Sequence, residues 1–343
     1  MGLQMSPTSG SGAVAQRLKQ GICTAALTEI LSTWDGKNLQ ERGIPTQALV
    51  NVYDKWGHGG YGMILTGNIQ VSPAGRQTPL AVNAHPFSVS DIQLKGNPPL
   101  QLYGTPIALT EEQIKTEVVD RFVFAAKYAH KHGFDGVQLH SAHGYLLSSF
   151  LSPTTNNRTD KYGGSVENRF RVVREVYEAI RKEIPPTTGF IVGIKVNSVE
   201  FQDKGLGVED AKAIGAMIEA CGFDFVELSG GTLEKLAFAH LRESTKRREA
   251  FFLEFAQQVR ECCGLFFQFS PYELGGFRTA PAMVLAVRDG STDGIGLGRP
   301  ATAEPDEVRH FKEAVNEYFK GAAELAARNE PVYKPMKYKN VVS

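Results

Sequence analysis

The chain has 343 residues, of which 42% are hydrophobic, and it carries 37 basic and 37 acidic side chains. The length is compatible with two average domains or one large barrel, and the balanced charge argues against a nucleic-acid partner. No apolar run approaches the roughly 20 residues of a membrane span and no secretory pattern is visible at the N-terminus, so no membrane partner is predicted.

The N-terminal segment differs in composition from the rest of the chain. Residues 1–13 are small, polar and rich in Gly and Ser, which predicts disorder, whereas residues 14–343 are predicted to form a single domain. The four cysteines show neither a CxxC pair nor zinc-ligand spacing, which is typical of a reducing compartment and predicts a cytoplasmic protein. They are Cys23, Cys221, Cys262 and Cys263.

The first elements are a strand over residues 20–28, a helix over 46–56 and a strand over 63–66, predicted from their apolar patterns. The alternation is then interrupted, because the prolines of residues 98–103 favour a loop. It resumes at Thr110, where Thr110 and Gln113 form a predicted capping box. Apolar residues then follow at helical spacing until Gly133 ends the helix.

Residues 135–150 are the most informative stretch of the sequence. Residues 136–139 are predicted to form a buried strand, and three polar rings, His140, His143 and Tyr145, follow just past its end. In an alternating β/α chain this end of a strand carries the chemistry. The two histidines are candidate hydrogen-bond donors, candidate metal ligands or a satisfied core pair. Tyr145 is a candidate proton donor or a packing residue. No third metal ligand with suitable spacing is visible, so no metal is predicted.

The remainder of the chain alternates regularly between helices and strands, which predicts a parallel α/β sheet. Helices are predicted over residues 166–182, 208–220, 249–262, 279–290 and 306–327, and strands over 190–197, 223–229, 265–269 and 294–297. In the first of these helices Phe170, Val173, Tyr177 and Ile180 are predicted to form a buried stripe.

Four consecutive segments carry a resemblance to a known family. Residues 135–150, Phe150-Leu-Ser-Pro153, Asn157-Arg-Thr-Asp160 and Tyr162-Gly-Gly-Ser165, in this order, resemble the old yellow enzymes, which are FMN-dependent ene-reductases. The resemblance implies a TIM (β/α)8 barrel that binds FMN over residues 14–343. It also implies NADPH or NADH as a transient reductant that docks over the flavin, so no Rossmann fingerprint is expected.

The resemblance implies roles for the three rings. His140 and His143 would donate to the carbonyl oxygen of an enone or enal substrate and draw electron density from its alkene. Tyr145 would protonate the substrate carbon on the face opposite the hydride. An oligomer is compatible with the sequence.

The resemblance also implies flavin contacts for three residues outside that stretch. Lys195, inside an apolar run, matches the cation beside flavin N1 and O2 that stabilises the reduced, anionic flavin. Thr28 and Asn68 match flavin-facing positions after the first and second strands. The alternatives are a lysine that points into water and an ordinary threonine at a strand end.

Two glycine turns predict a phosphate site. Gly275 and Gly276 follow the seventh strand by the family count, and Gly298 and Arg299 follow the eighth. Backbone N–H groups at such turns bind phosphate, and barrels commonly place phosphate after strands seven and eight. Arg299 would add a charge-assisted hydrogen bond. The alternative is that these glycines only make tight turns.

One departure from the family pattern affects the fold. Ser72-Pro73 leads almost directly into a Gly-Arg-Gln-Thr-Pro segment at residues 75–79 that resembles the part after the third strand of the family. Roughly 30 to 40 residues, the size of a strand–helix–strand unit, are therefore missing, with the third strand and its flavin-binding glutamine. Gln101 is a candidate substitute ligand.

Two functional hypotheses follow. The first is an FMN-dependent NAD(P)H oxidoreductase that reduces the C=C bond of α,β-unsaturated carbonyl compounds. The second is a barrel that has lost the flavin, either a pseudoenzyme or an enzyme of non-redox chemistry, because a missing strand would open the barrel wall. The colour of the purified protein separates the two.

Overall fold

The computed structural model describes residues 22–71, 75, 78–80, 82–94, 103–232, 234, 267–269, 279–288, 292–306 and 308. Several predictions lie outside these residues, namely those for residues 1–13, Gln101, Gly275, Gly276 and the helix over 249–262. The helix predicted over 306–327 lies almost entirely outside them.

The described residues contain nine β-strands: β1 (Ile22–Thr24), β2 (Met63–Ile64), β3 (Phe87–Ser88), β4 (Ile107–Ala108), β5 (Gly136–Ser141), β6 (Ile191–Val199), β7 (Phe225–Gly230), β8 (Phe267–Phe269) and β9 (Gly294–Leu297). Seven of them form one parallel sheet in the order β2-β1-β9-β8-β7-β6-β5. The first strand pairs with the last, as it does in a barrel, yet β2 and β5 are edges in the described part of the sheet. The predicted parallel α/β sheet is confirmed.

Helices connect these strands and cover the sheet. Within the described residues they are α1 (Gln47–His58), α2 (Glu111–Gln113), α3 (Asp120–Lys131), α4 (Leu146–Leu151), α5 (Val166–Glu183), α6 (Val208–Cys221), α7 (Ala280–Arg288) and α8 (Arg299–Ala303). A π-helical segment, Ile114–Val119, joins α2 to α3. No helix among the described residues is both long and apolar enough to cross a lipid bilayer.

The core lies between the sheet and its helices. In β6, Val192, Ile194 and Val196 are buried, and all six residues of β7 are buried, as expected for parallel strands covered on both faces. The predicted stripe of α5, which runs from Phe170 to Ile180, is also buried.

Local signals set the helix boundaries as the sequence predicts. Thr46 is the N-cap of α1, and its hydroxyl accepts a hydrogen bond from the Leu49 N–H at 3.4 Å. Thr110 and Gln113 form the predicted capping box, with reciprocal hydrogen bonds of 3.1 and 2.9 Å. Each bond satisfies an N–H group that has no partner inside the helix.

Several strand boundaries differ from the prediction, and two of the differences concern predicted site residues. The first strand, β1, ends at Thr24 rather than at Thr28. The fourth strand by the family count, β5, extends to Ser141, so His140 lies inside the strand and not past its end as predicted. The extension arises because β5 stays in register with β6 up to the pair Ser141 and Val196. Pairing between distant strands, not local sequence, thus determines where β5 ends.

A two-stranded parallel ribbon, β3 with β4, stands apart from the main sheet. Arg158 ties it to the loop after α4, because its Nη1 donates to the carbonyls of Val89 at 2.9 Å and Leu109 at 2.6 Å. Asp160 holds the guanidinium in an ion pair. The Asn-Arg-Thr-Asp motif therefore has a structural role in this chain.

Candidate active site

A row of polar residues crosses three neighbouring strands of the sheet. His140 of β5 pairs with Lys195 of β6, and Lys195 pairs with Glu227 of β7. Residues paired in register point to the same face of a sheet. The sheet thus brings two predicted site residues, His140 and Lys195, side by side.

Lys195 forms a buried ion pair. Its Nζ lies 2.9 Å from Glu227 Oε1, and the side chains are 2% and 0% exposed. Gln138 Nε2 donates to the other carboxylate oxygen at 2.7 Å. A charge inside an apolar strand needs a partner, which Lys195 has here, so it does not point into water. Sequence reasoning missed Glu227, although a carboxylate within the apolar 223–229 run obeys the same rule.

His140 is a neutral hydrogen-bond donor. Its Nδ1 accepts the Ala142 N–H at 3.3 Å. Because a backbone N–H can only donate, the ring proton of the neutral imidazole is on Nε2. Burial, with a smaller contribution from the Lys195 charge, lowers the pKa of His140 to about 3. The ring therefore carries no charge at neutral pH and offers one N–H.

His143 is held in an unusual backbone conformation, with φ at +60°. Its backbone N–H donates to Asn197 Oδ1 at 3.2 Å, and its Nε2 lies 2.7 Å from Ser229 Oγ. Burial lowers the pKa of this imidazole well below its ordinary value, and the charge of Lys195 adds to the effect. A strained, non-glycine residue that neighbouring groups hold in place is a feature of functional sites. Asn197 and Ser229 were not predicted as site residues.

Tyr145 completes the group. The ring centroids of His140 and Tyr145 are 4.7 Å apart, and those of His140 and His143 are 5.2 Å apart. Burial raises the pKa of Tyr145, and a hydrogen bond from the Asn68 side chain partly opposes that shift. Tyr145 is 37% exposed, so it is accessible, and the raised pKa keeps its phenol protonated at neutral pH. The structure thus brings together all three predicted rings and adds Asn68 to them.

Thr28, the remaining residue predicted to face the flavin, is exposed and lies beyond the end of β1. The last residue of that strand, Thr24, is fully buried, and its hydroxyl accepts the Leu65 N–H at 3.0 Å. That hydrogen bond connects the ends of β1 and β2. Thr24 therefore has a structural contact, and the flavin-facing role of Thr28 stays a prediction.

The predicted phosphate site is described on one side only, because the Gly-Gly pair at 275–276 lies outside the described residues. Gly298 is buried directly after β9, and Arg299 is exposed at the first position of α8. The Trp56 indole donates to the Ala301 carbonyl at 2.7 Å. This bond fixes α8 against α1, and with it the turn that Gly298 makes.

These residues fit the flavin that the resemblance implies. A buried ammonium beside a neutral imidazole is suited to an aromatic ring whose pyrimidine end becomes negative on reduction. Lys195 would hold that end, whereas Gly298 and Arg299 would contact the phosphate. Among the residues that the structure describes, no group of three or more His, Cys, Asp or Glu side chains is arranged to bind a metal ion.

Comparison with known proteins identifies relatives for most of the chain. Residues 66–317 match the family described as NADH:flavin oxidoreductase / NADH oxidase. An NADH-dependent flavin oxidoreductase of Aspergillus parasiticus is 37% identical over 328 residues, which cover 82% of this chain and 72% of that protein. An NADPH dehydrogenase of Bacillus subtilis is 29% identical over 72% of this chain and 67% of its own.

Solved structures share the fold at lower identity. Morphinone reductase has a TM-score of 0.65 and 20% identity, and the match covers 86% of each chain. A 2-naphthoyl-CoA reductase has a TM-score of 0.69 and 19% identity over 90% of this chain. The present chain spans 50% of the length of that reductase.

Proposed function

Because the chain belongs to the NADH:flavin oxidoreductase / NADH oxidase family, the family of the old yellow enzymes, we propose that it reduces the C=C bond of enones or enals. FMN and NADH or NADPH are the cofactors of the family. The flavin, when bound, supplies the hydride chemistry, and the protein orients and polarises the substrate.

The observation that carries this proposal is the position of two uncharged donors next to each other. His140 presents an Nε2–H, and the protonated Tyr145 phenol lies beside it with ring centroids 4.7 Å apart. A carbonyl oxygen bound by His140 becomes more electron-withdrawing, so the β-carbon becomes a better hydride acceptor. Tyr145 then supplies the proton to the α-carbon.

The other residues bind and orient. His143, fixed by Asn197 and Ser229, would provide the second contact to the carbonyl oxygen. Lys195 would stabilise negative charge at the flavin pyrimidine, and Gly298 with Arg299 would hold the phosphate. Thr28 and Asn68 would contact the flavin. Asn68 would also align the Tyr145 phenol, to which it is hydrogen-bonded.

We propose that this chain is a TIM barrel without its third strand. The strand order β2-β1-β9-β8-β7-β6-β5 supports this view, since the position between β2 and β5 is where that strand belongs in the family. Cys23 and Cys221 do not form disulfides, which supports the proposed reducing, cytoplasmic location.

Anaerobic half-reactions test the function. NADH or NADPH should bleach the flavin absorbance of the FMN-loaded protein, and 2-cyclohexen-1-one should restore it. Cyclohexanone, which has the carbonyl but no alkene, is the matched control and should restore nothing. A folded protein whose reduced flavin is not re-oxidised by any enone or enal would contradict the ene-reductase proposal.

A further inference from the structure

We propose that Glu227 is a positioning residue for Lys195: it fixes the ammonium at the place where the flavin pyrimidine binds. The location of the flavin is taken from the proposed function. The pairing of the two residues rests on the structure alone.

The carboxylate is itself fixed on two sides. Glu227 Oε1 lies 2.9 Å from Lys195 Nζ, and Oε2 accepts from Gln138 Nε2 at 2.7 Å. Lys195 lies on β6 and Gln138 on β5, and β6 pairs with both β5 and β7 over several residues. The carboxylate therefore has little freedom, and it limits the ammonium to one position.

The charges of both residues act on their surroundings. The positive charge of Lys195 contributes to the lowered pKa of His140 and His143. The negative charge of Glu227 contributes, after burial, to the raised pKa of the Cys23 thiol on β1. The charges of the pair therefore act on groups of β5, of the segment that follows it, and of β1.

Loss of the carboxylate removes the charge that holds the ammonium in place. When one partner of a buried ion pair is removed, the other charge is strongly destabilised where it lies. In Glu227→Gln, an amide of nearly the same shape would replace the carboxylate and would present an N–H₂ group or a neutral oxygen to Lys195. The ammonium would then be displaced from the flavin pyrimidine.

The test compares Glu227→Gln, Lys195→Met and the double variant with the wild type as FMN-loaded proteins. At a fixed potential set by a reference dye, Glu227→Gln should lower the ratio of reduced to oxidised flavin about tenfold, which is about 30 mV for a two-electron couple. Lys195→Met should lower it by a similar factor. The double variant should show no further decrease, because both changes remove the same charge from the flavin pyrimidine.

Two variants serve as controls. Glu227→Asp keeps the charge and should keep the ratio within about threefold of the wild type. Glu175→Gln removes a carboxylate that accepts a hydrogen bond from Tyr162, away from the row, and should leave the ratio unchanged. Suppose that Lys195→Met lowers the ratio of reduced to oxidised flavin, but Glu227→Gln keeps it equal to or above that of the wild type. That result would overturn the proposal.

A second readout does not depend on the flavin. In the FMN-free proteins, Glu227→Gln and Lys195→Met should each lower the melting temperature. The loss of stability in the double variant should be smaller than the sum of the two single losses. Additive losses would overturn the pairing. If Lys195→Met leaves the flavin ratio unchanged while the stability losses are non-additive, the proposed flavin position fails and the pairing stands.

Discussion

The Tyr145 phenol lies beside the His140 imidazole, with ring centroids 4.7 Å apart and an angle of 50° between the ring planes. The imidazole is neutral with its proton on Nε2, and the phenol keeps its proton because burial raises its pKa. One ring can therefore bind a carbonyl oxygen while the other supplies a proton. This arrangement is compatible with the two different roles that we propose for His140 and Tyr145.

Replacement of the phenol tests the proton-donor role. In Tyr145→Phe the ring stays and the hydroxyl is lost, so NAD(P)H should still reduce the flavin at the wild-type rate. Re-oxidation by an enone should slow by about 10² to 10⁴, the usual contribution of a general acid. Stopped-flow absorbance of each half-reaction measures both rates.

Tyr103 offers a matched control for that experiment. Burial raises the pKa of Tyr103, and the nearby Tyr145 phenol adds to that shift, but Tyr103 is not among the proposed proton donors. Tyr103→Phe should change the re-oxidation rate by less than about threefold, within the range of surface or packing effects. Equal slowing of both half-reactions in Tyr145→Phe would refute the assignment.

The lowered pKa of His140, about 3, makes the stability of the protein depend on pH. The unfolded chain binds a proton at this residue below about pH 6.5, whereas the folded chain does not until about pH 3. The stabilisation from neutral His140 is therefore complete above pH 6.5 and decreases as the pH falls through that window. Its contribution to the slope is up to about 1.4 kcal/mol per pH unit.

Urea unfolding of wild type and His140→Gln at several pH values between 5 and 7 measures this slope. The variant should lose less stability than the wild type as the pH falls. His58→Gln is the control, since His58 is a surface histidine with a 78% exposed side chain, and it should follow the wild type. Parallel curves for wild type and His140→Gln would contradict a neutral, buried His140.

Ser229 fixes the ring of His143 through its hydroxyl, 2.7 Å from Nε2. In Ser229→Ala the imidazole loses that contact, so we expect the KM for an enone to rise about tenfold, the equivalent of one net hydrogen bond. Reduction of the flavin should not change. Ser149→Ala removes another buried hydroxyl, which donates to the Leu146 carbonyl, and should not affect KM. An equal KM in the two variants would rule out the proposed role of Ser229.

Arg158 stabilises the ribbon of β3 and β4, and we assign it no role in the proposed reaction. Arg158→Lys cannot reach both the Val89 and Leu109 carbonyls, so the free energy of unfolding should fall by about 2–4 kcal/mol. Arg171→Lys, at a more exposed arginine that donates to the Lys161 carbonyl at 2.8 Å, should cost less than about 1 kcal/mol. Chemical denaturation measures the free energy of unfolding of both variants. An equal decrease in Arg158→Lys and Arg171→Lys would contradict the anchoring role of Arg158.

Local features of the fold are predictable from the sequence because they depend on neighbouring residues. The capping box at Thr110, the buried stripe of α5 and the strand Gly294–Leu297 all agree with prediction. The clustering of His140, His143 and Tyr145 also agrees, since they are close in sequence.

Features that depend on distant pairing were not predictable. Glu227 and Lys195 are brought together by the register of β6 with β7, which no local pattern encodes. The strands β3 and β4 have two residues each, too few to show a period. The inclusion of His140 in β5 follows likewise from pairing with β6.

The most direct test of the account is a titration of the purified, folded protein with FMN, followed by visible absorbance. We predict a yellow protein that binds one FMN per chain and shows the flavin bands, with a spectrum shifted from that of free FMN. A soluble, cooperatively folding protein that stays colourless and shows no affinity for FMN would contradict the claim that this chain holds a flavin against His140, His143 and Tyr145.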